Sequence, residues 1–139
     1  MRYIHNSPLR WSDMDAYGHV NNVVYLTYLE EARVDMLFAL SAEYGGKALS
    51  EGVLVAHHEI DYKRPLVYHP RGVDIDLWVG AIKGASFEIR YEVHDETTVF
   101  ARAASVLVPY DLEKERPRRV SPEERAFLEQ YLEPGAADD

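Results

Sequence analysis

The spacing of apolar residues changes once along the chain, and this change limits the fold more than any other feature. From about Asn22 to Leu40, apolar residues recur every three or four positions, as they do on one face of an α-helix. Beyond Val53, apolar and polar residues alternate, which is typical of antiparallel strands with one face in solvent. Because helix and strands are segregated along the chain, it is predicted to be an α+β protein, not a series of βαβ units.

The early helix is predicted to be buried. Its first half carries no charge on any face. Its apolar positions share one face and are Tyr25, Leu29, Ala32, Met36 and Leu40. Asn21 and Asn22 are good residues to cap its start, and the Gly45-Gly46 pair is expected to end the region. A short last helix is predicted after Ser121, with Pro122 at its first position and Glu124 completing a capping box.

Five stretches are predicted to form strands: Tyr3–Trp11, Val53–Lys63, Val73–Ala81, Phe87–Val93 and Val99–Tyr110. Pro8 within the first stretch favours a sheet edge or an irregular start. The simplest packing of these elements is a curved antiparallel sheet wrapped around the helix. Such a sheet has an outer face and edges that need covering, and dimerisation is therefore expected.

The length of 139 residues suits one domain, which we place at residues 1–133, followed by a disordered acidic tail at 134–139. One small domain rarely encloses a deep pocket, so a site at a subunit interface is expected. The longest uncharged run, Ala16 to Leu29, is too short and too polar to span a membrane. The N-terminal residues lack the apolar segment of a signal peptide.

Composition excludes several function classes. The formal charge of -9 argues against general nucleic-acid binding, which depends on Lys and Arg. The absence of cysteine excludes disulfides and a cysteine nucleophile, and it fits a cytoplasmic protein. The sequence contains no Gly-x-Ser-x-Gly motif, and this disfavours a serine hydrolase. No group of His, Asp and Glu has the spacing of a metal site, so no metal is predicted.

The loop before the helix carries the most informative chemistry. Asp15 lies a few residues before the helix start, where backbone N–H groups lack partners and carry partial positive charge. A carboxylate beside such donors suits acyl transfer, as nucleophile or as general base on water. Gly18 would let the backbone approach a ligand closely. The alternative is that Asp13 and Asp15 cap turns while Asn21 and Asn22 only start the helix.

The Asp-x-Asp-x-x-Gly-His-Val-Asn-Asn motif at residues 13–22 resembles that of the hot-dog-fold acyl-CoA thioesterases, more narrowly the 4-hydroxybenzoyl-CoA thioesterase-like group. The resemblance continues through Glu30-Glu31-Ala32-Arg33, Asp61-Tyr62-Lys63-Arg64-Pro65 and the Lys83-Gly84-Ala85-Ser86 turn, and so spans nearly the whole chain. The Gly-His-Val-Asn-Asn form is more similar to the branch that acts on fatty acyl-CoA than to the strictly aromatic branch. The resemblance implies a helix wrapped by an antiparallel sheet and active sites at a dimer interface.

The resemblance also implies roles for single residues. Asp15 would be the catalytic carboxylate, and the backbone N–H of Asn22 would polarise the thioester carbonyl. Asp13 would tie down the loop, and His19 would line the pocket or fix the loop. The assembly would be a homodimer or a dimer of dimers (a homotetramer).

Substrate-binding residues are expected around this centre. Coenzyme A carries phosphates, and the family's placement of such contacts favours Arg64 and Lys83, although strand-end cations are commonly only solvated. Tyr17 and Tyr25 could line an acyl tunnel or pack at an interface. Ser86 could contact substrate or only finish its turn.

His57 and His58 are adjacent on a predicted strand, so they point to opposite faces and cannot share one metal ion. Alternate residues of a strand share a face, so His58 is predicted to lie with Leu54, Ala56, Ile60 and Tyr62 on the face towards the helix and the pocket. A half-buried structural histidine is the simpler interpretation, with a catalytic one as the alternative.

The resulting hypothesis is an acyl-CoA thioesterase that releases a free fatty or aromatic acid and coenzyme A, with no cofactor beyond the coenzyme A of the substrate. The alternatives are a hot-dog enzyme acting on acyl-carrier-protein thioesters or dehydrating a hydroxyacyl chain, and a non-enzymatic acyl-CoA binding module.

Overall fold

A computed structural model describes residues 1–43 and 52–133. The elements, in chain order, are β1 (Tyr3–Ser7), a 3₁₀ turn (Trp11–Asp13), α1 (Asn22–Glu43), β2 (Val53–Tyr62), β3 (Val73–Ile82), β4 (Phe87–His94), β5 (Val99–Asp111), β6 (Arg116–Pro117) and α2 (Pro122–Glu129). The proposed helix end at Gly45-Gly46 and the acidic tail at 134–139 lie outside the described residues.

The strands form one antiparallel sheet in the order β1-β3-β4-β5-β2, with the short β6 paired to β5. This is the α+β arrangement predicted from the segregation of helix and strands. β1 is an edge strand, as expected from Pro8, but it ends at Ser7 and not at Trp11. Proline has no N–H for the sheet, and the chain turns into the 3₁₀ segment three residues later. The two-residue β6 was not predicted, because it has no alternating pattern to detect.

Helix α1 packs one face on the sheet. The five apolar positions predicted for that face are all buried, and they join a core built from β3, β4 and β5. Val23 and Phe38 on the opposite side are each 64% exposed. The prediction that the helix is buried nearly all round is therefore wrong for the single chain, because the sheet covers only one face of α1.

Strand β2 forms the other edge of the sheet, and it is exposed along most of its length on both faces. A bulge at Ala56 interrupts its pairing with β5, since Val55 lies opposite Leu107 and His57 opposite Val106. The extra residue reverses the alternation. His58 shares the inner face with Ile60 and Tyr62, as predicted, but the grouping of Leu54 with them is wrong.

The C-terminal helix α2 begins as its sequence predicts. The Ser121 hydroxyl accepts a hydrogen bond from the Glu124 N–H, and the Glu124 carboxylate accepts one from the Ser121 N–H. Glu124 is fully buried and pairs with both terminal nitrogens of Arg118, at 2.9 and 2.8 Å. The helix packs across the end of β3, where Val79 N–H donates to the carbonyl of Tyr131. In the described ranges, neither helix has the length and apolar character needed to cross a membrane.

Candidate active site

The loop before α1 is held by a buried carboxylate at Asp13. This side chain is 2% exposed and accepts hydrogen bonds from the Tyr28 hydroxyl at 2.6 Å and from Arg10 Nε and backbone N, each at 3.1 Å. Burial alone would raise the pKa of Asp13, but the bonds from Tyr28 and Arg10 outweigh it, and the pKa is lowered. Its carbonyl accepts from the Asn21 N–H at 3.0 Å. Asp13 thereby joins the loop to α1.

Asp15 sits in a tight turn that this anchor supports. Its N–H donates to the His19 carbonyl at 2.9 Å, and Met14 bridges to Val20 across the base of the turn. The Oδ1 atom of Asp15 accepts the Tyr17 N–H at 2.9 Å. Within residues 1–43 and 52–133 no other protein group bonds this carboxylate, so it keeps acceptor capacity for an incoming water or substrate. Gly18 closes the turn with φ +79°, a conformation that side chains disfavour.

Asp15 lies on the wall of an open groove of about 470 Å³. The groove is lined by Trp11, Ser12, Met14, Asp15, Ala16, Gly18, Val67 and Tyr68. The rings of Trp11 and Tyr68 meet edge to face at 5.8 Å, and Trp11 is 76% exposed. A carboxylate next to exposed aromatic surface suits a ligand with an apolar part beside a reactive polar group.

The start of α1 supplies the second component of the candidate site. Asn21 caps the helix, since its Oδ1 accepts the Val23 N–H at 3.0 Å. Asn22 follows as the first helical residue, and its N–H therefore has no acceptor inside the helix. From the end of β2, the Tyr62 hydroxyl donates to the Asn22 carbonyl at 2.9 Å. The helix start is thus fixed to the loop on one side and to β2 on the other.

Two tyrosines close this end of the helix. The Tyr62 ring packs edge to face on Tyr25, with 5.1 Å between ring centres. Tyr25 is 3% exposed, and burial raises its pKa to about 12, so this phenol stays protonated. Tyr25 is therefore part of the packing behind the helix start.

The other sequence-predicted residues are distributed between the two ends of the sheet. Tyr17 and His19 are exposed on the Asp15 turn, and Arg64 is exposed just after β2, at the same end. Lys83 and Ser86 form the β3–β4 turn, where the Lys83 N–H donates to the Ser86 carbonyl. The start of β3 pairs with the end of β1 next to the loop, and ten residues of β3 span about 33 Å. Within one chain, Lys83 and Ser86 thus lie far from Asp15.

His58 points inwards from β2 and bonds to the core. Its Nδ1 lies 2.6 Å from the hydroxyl of Ser105 on β5. Burial, followed by the positive charge of Arg33, lowers the pKa of His58, so the neutral imidazole dominates at neutral pH. No single-residue signal in the sequence indicated Ser105 as its partner, since their proximity comes from strand pairing.

A second group of polar side chains, two carboxylates and a histidine, has the ligand types that bind a cation. Asp76, Glu92 and His94 meet on the outer face of β3 and β4, with ligand atoms within 4.8 Å of one another. Strand pairing creates this group, which sequence spacing could not show. Asp76 and Glu92 already form ion pairs with Arg2 and Arg102, respectively. The group lies apart from the residues that line the Asp15 groove.

Sequence reasoning missed two aromatic residues that line the groove, Trp11 and Tyr68, whereas it placed Tyr62 on the face towards the helix and the pocket. The three residues come from separate segments of the chain. Only the fold brings these segments together. The aromatic residues flanking the motif were the one available signal.

Comparisons with known proteins identify the family of this chain. Residues 9–129 match the model of the thioesterase-like superfamily. The chain is 30% identical over 126 residues to the long-chain acyl-CoA thioesterase FadM of Escherichia coli K12, covering 89% of this chain and 95% of that protein.

Solved structures show the same fold over most of the chain. The PA2801 protein of Pseudomonas aeruginosa is 34% identical, with a TM-score of 0.77 over 88% of this chain and 95% of its own. A thioesterase from Thermus thermophilus, crystallised in complex with coenzyme A and Zn, is 29% identical, with a TM-score of 0.77 over 92% of each chain.

These matches and the architecture define a hot-dog thioesterase fold. The chain belongs to the thioesterase-like superfamily, and it is a thioester hydrolase.

Proposed function

We propose that this hydrolase cleaves acyl-CoA to a free acid and coenzyme A, with Asp15 as the catalytic carboxylate. The observation that carries the proposal is the position of Asp15. Its carboxylate has free acceptor capacity, lines an open apolar groove and belongs to a loop bonded directly to the start of α1. The similarity to FadM, a long-chain acyl-CoA thioesterase, supports a fatty acyl group over an aromatic one.

The helix start would supply the electrophilic component. The Asn22 N–H has no acceptor inside α1, and the dipole of a 22-residue helix adds partial positive charge there. A thioester carbonyl oxygen bound at this N–H would gain stabilisation as negative charge develops on it. Asn21, Tyr62 and Asp13 hold the backbone in place, so the donor needs little reorganisation during the reaction.

Two routes then lead to the same products. Asp15 can remove a proton from water as the water attacks the carbonyl carbon, or it can attack that carbon itself and form an anhydride that water cleaves. In both routes the C–S bond breaks, and coenzyme A leaves as a thiolate that takes up a proton. Single-turnover reaction in ¹⁸O-water tests for the nucleophilic route, because the label enters the Asp15 carboxylate only when water attacks the aspartyl carbonyl of the anhydride. The reaction drawn this way uses no metal and no separate cofactor.

A second copy of the chain would complete the site. The edge strand β2 has unpaired backbone groups and is exposed on both faces, which favours antiparallel pairing with another β2. Such a two-fold arrangement reverses the second sheet. The β3–β4 turn of the second copy, with its Lys83 and Ser86, would then lie at the Asp15 end of the first copy. We therefore expect a homodimer as the smallest active unit, with a dimer of dimers as the larger form.

The coenzyme phosphates would bind to cations at that shared end. Arg64 is exposed there, directly after β2, and Lys83 would come from the second copy. Replacing either by alanine should raise the dissociation constant of coenzyme A about three- to tenfold with little change in kcat. Arg71→Ala, which changes an exposed arginine in the segment before β3, is the matched control.

Thiol release from a panel of acyl-CoA substrates tests the proposal. Hydrolysis of one or more of them to free acid and coenzyme A is expected, with no enoyl product from hydroxyacyl-CoA. A panel of aliphatic and aromatic acyl-CoA that gives no thiol release, from protein shown to be folded, would contradict it. Turnover of acyl-carrier-protein thioesters alone would instead favour the acyl-carrier alternative.

A further inference from the structure

A line of four polar side chains crosses the otherwise apolar layer between α1 and the sheet. Arg33 Nη1 donates to the Tyr91 hydroxyl at 3.2 Å, and the Tyr91 hydroxyl donates to Ser105 Oγ at 2.8 Å. Ser105 Oγ lies 2.6 Å from Nδ1 of His58. Arg33 is 8% exposed, and Tyr91 and Ser105 are fully buried, whereas His58 lies on the exposed edge strand.

The charge on Arg33 sets the direction of every bond in this chain. A guanidinium can only donate hydrogen bonds, so the Tyr91 oxygen accepts from it, and the Tyr91 O–H donates to Ser105. Ser105 then donates to His58 Nδ1, which must be an acceptor. The proton of the neutral imidazole is therefore on Nε2, and His58 presents a fixed N–H donor.

Charges around His58 support the same state. Burial and the positive charges of Arg33 and His57 lower its pKa, while the carboxylate of Glu30 acts in the opposite direction with a smaller effect. The imidazole therefore remains neutral over the range in which the hydrolase would work. In the described part of the chain, no carboxylate lies within ion-pair distance of the buried Arg33 guanidinium.

Two elements give the distance of this polar line from the helix start. On β2, four residues separate His58 from Tyr62, which bonds to the Asn22 carbonyl, and this is about 13 Å. On α1, eleven residues separate Asn22 from Arg33, which is about 16 Å. The His58 end and the Arg33 end of the line thus lie about 13 and about 16 Å from the helix start.

Small side chains lie between the helix start and His58. On β5, the inner face presents Ala101 opposite Tyr62, Ala103 opposite Ile60, and then Ser105 opposite His58. The inner face of β2 above them is exposed in the single chain, with Tyr62 45% exposed. A chain bound at the Asn22 N–H and extended along this face would run past Tyr62 and over the alanines towards the His58 Nε2–H.

We propose that His58 is a specificity residue that donates a hydrogen bond to an oxygen near the far end of the acyl chain, and that Arg33, Tyr91 and Ser105 are positioning residues that fix its tautomer. An extended saturated chain advances about 1.25 Å per carbon, because its C–C bonds of about 1.5 Å follow a zigzag, so a span of about 13–16 Å corresponds to about ten to thirteen carbons. The substrate class is thus long-chain acyl-CoA with a hydroxyl or carbonyl oxygen near the terminus. This inference rests on the proposed acyl-CoA hydrolysis at Asp15.

Three substrates of equal length test it: dodecanoyl-CoA, 12-hydroxydodecanoyl-CoA and 3-hydroxydodecanoyl-CoA. For the wild-type protein, kcat/KM should be about three- to tenfold higher for the 12-hydroxy substrate than for dodecanoyl-CoA, as one net hydrogen bond allows. The 3-hydroxy substrate, whose oxygen lies near the thioester, should show no such gain. His58→Leu should bring the 12-hydroxy to dodecanoyl ratio close to one.

Tyr91→Phe leaves His58 in place but breaks the chain that orients it. It should reduce the same ratio at least twofold, and the ¹⁵N spectrum of His58 should change from the Nε2–H tautomer to a mixture of both. A purely structural role for Tyr91 would leave the tautomer and the ratio unchanged, and would overturn the positioning role. A wild-type ratio of one, or a preference that survives His58→Leu, would overturn the specificity role. Absence of hydrolysis of all three substrates would instead count against the proposed function.

Discussion

Replacing Tyr28 by phenylalanine removes one hydroxyl from the Asp13 anchor, which holds the loop before α1. That hydroxyl donates to Asp13 Oδ2 at 2.6 Å, and both side chains are at most 4% exposed. The remaining bonds to the carboxylate come from Arg10, whose side chain is largely in solvent. The substitution therefore leaves a buried, charged oxygen without its shortest donor.

The expected cost follows from the type of bond. A hydrogen bond to a buried charged group contributes about 1.5–3 kcal/mol, against about 1 kcal/mol for a neutral pair. We expect Tyr28→Phe to lower the free energy of unfolding by about 2 kcal/mol. Tyr3→Phe is the matched control, because its hydroxyl makes only a 3.4 Å bond to a backbone carbonyl in an exposed setting. The control should cost less than about 0.5 kcal/mol.

Urea unfolding at pH 7, at one fixed protein concentration, measures both variants. A double-mutant cycle with Asp13→Ala isolates the pair, and the coupling energy should be about 1.5–3 kcal/mol. If the coupling were below about 0.5 kcal/mol, or if Tyr28→Phe cost no more than Tyr3→Phe, the Asp13 anchor would not hold the loop as described.

Three further predictions concern the rest of the fold. Glu124→Gln should cost about 3 kcal/mol, because it removes the buried carboxylate charge that pairs with the Arg118 guanidinium. The folded pKa of Glu124 is lowered, so its contribution is present above the unfolded value near 4.5 and is lost as the pH falls through the folded value, which acid unfolding of both proteins will show. Burial would lower the pKa of His94, but its bond to Asp76 raises the pKa overall. Wild-type stability should therefore fall as the pH rises from 6.5 through the folded pKa of His94. In thermal melts, His94→Gln should flatten this fall. Gly72→Ala should cost roughly 1–3 kcal/mol in urea unfolding, since φ is +70° and the added Cβ would meet the backbone carbonyl at the end of β1.

The elements with strong periodicity could be predicted from sequence. The apolar spacing of α1, the alternation of β3 and β4, and the capping box at Ser121 each act locally, so a short window of sequence contains the cause. The same holds for Asn21 as the cap that places the helix start beside the loop. These local causes account for most of the fold.

Features that depend on contacts between distant segments could not be predicted. The bulge at Ala56 depends on how β2 pairs with β5, and it reverses the face of Leu54. The exposed side of α1 at Phe38 reflects how much of the helix one sheet can cover. The bond between His58 and Ser105 joins residues 47 positions apart.

The candidate site also contains residues that a local motif predicts and residues whose position depends on the whole fold. The motif placed Asp15 and Asn22 in neighbouring positions along the chain, and one short loop connects them in the structure. Lys83 follows no such local rule, because the length of β3 carries it to the far end of the sheet. Its proposed contact with the coenzyme therefore requires a second copy of the chain.

The central claim is that the Asp15 carboxylate performs the hydrolysis, and thiol release by Asp15→Asn tests it most directly. The asparagine keeps the size of the side chain and an oxygen that can accept the Tyr17 N–H, so the loop should stay in place. We predict that kcat for the best acyl-CoA substrate falls by about 10²–10⁴, the range for loss of a general base, while the dissociation constant of coenzyme A changes less than threefold. A variant that hydrolyses the substrate at the wild-type rate would contradict the account.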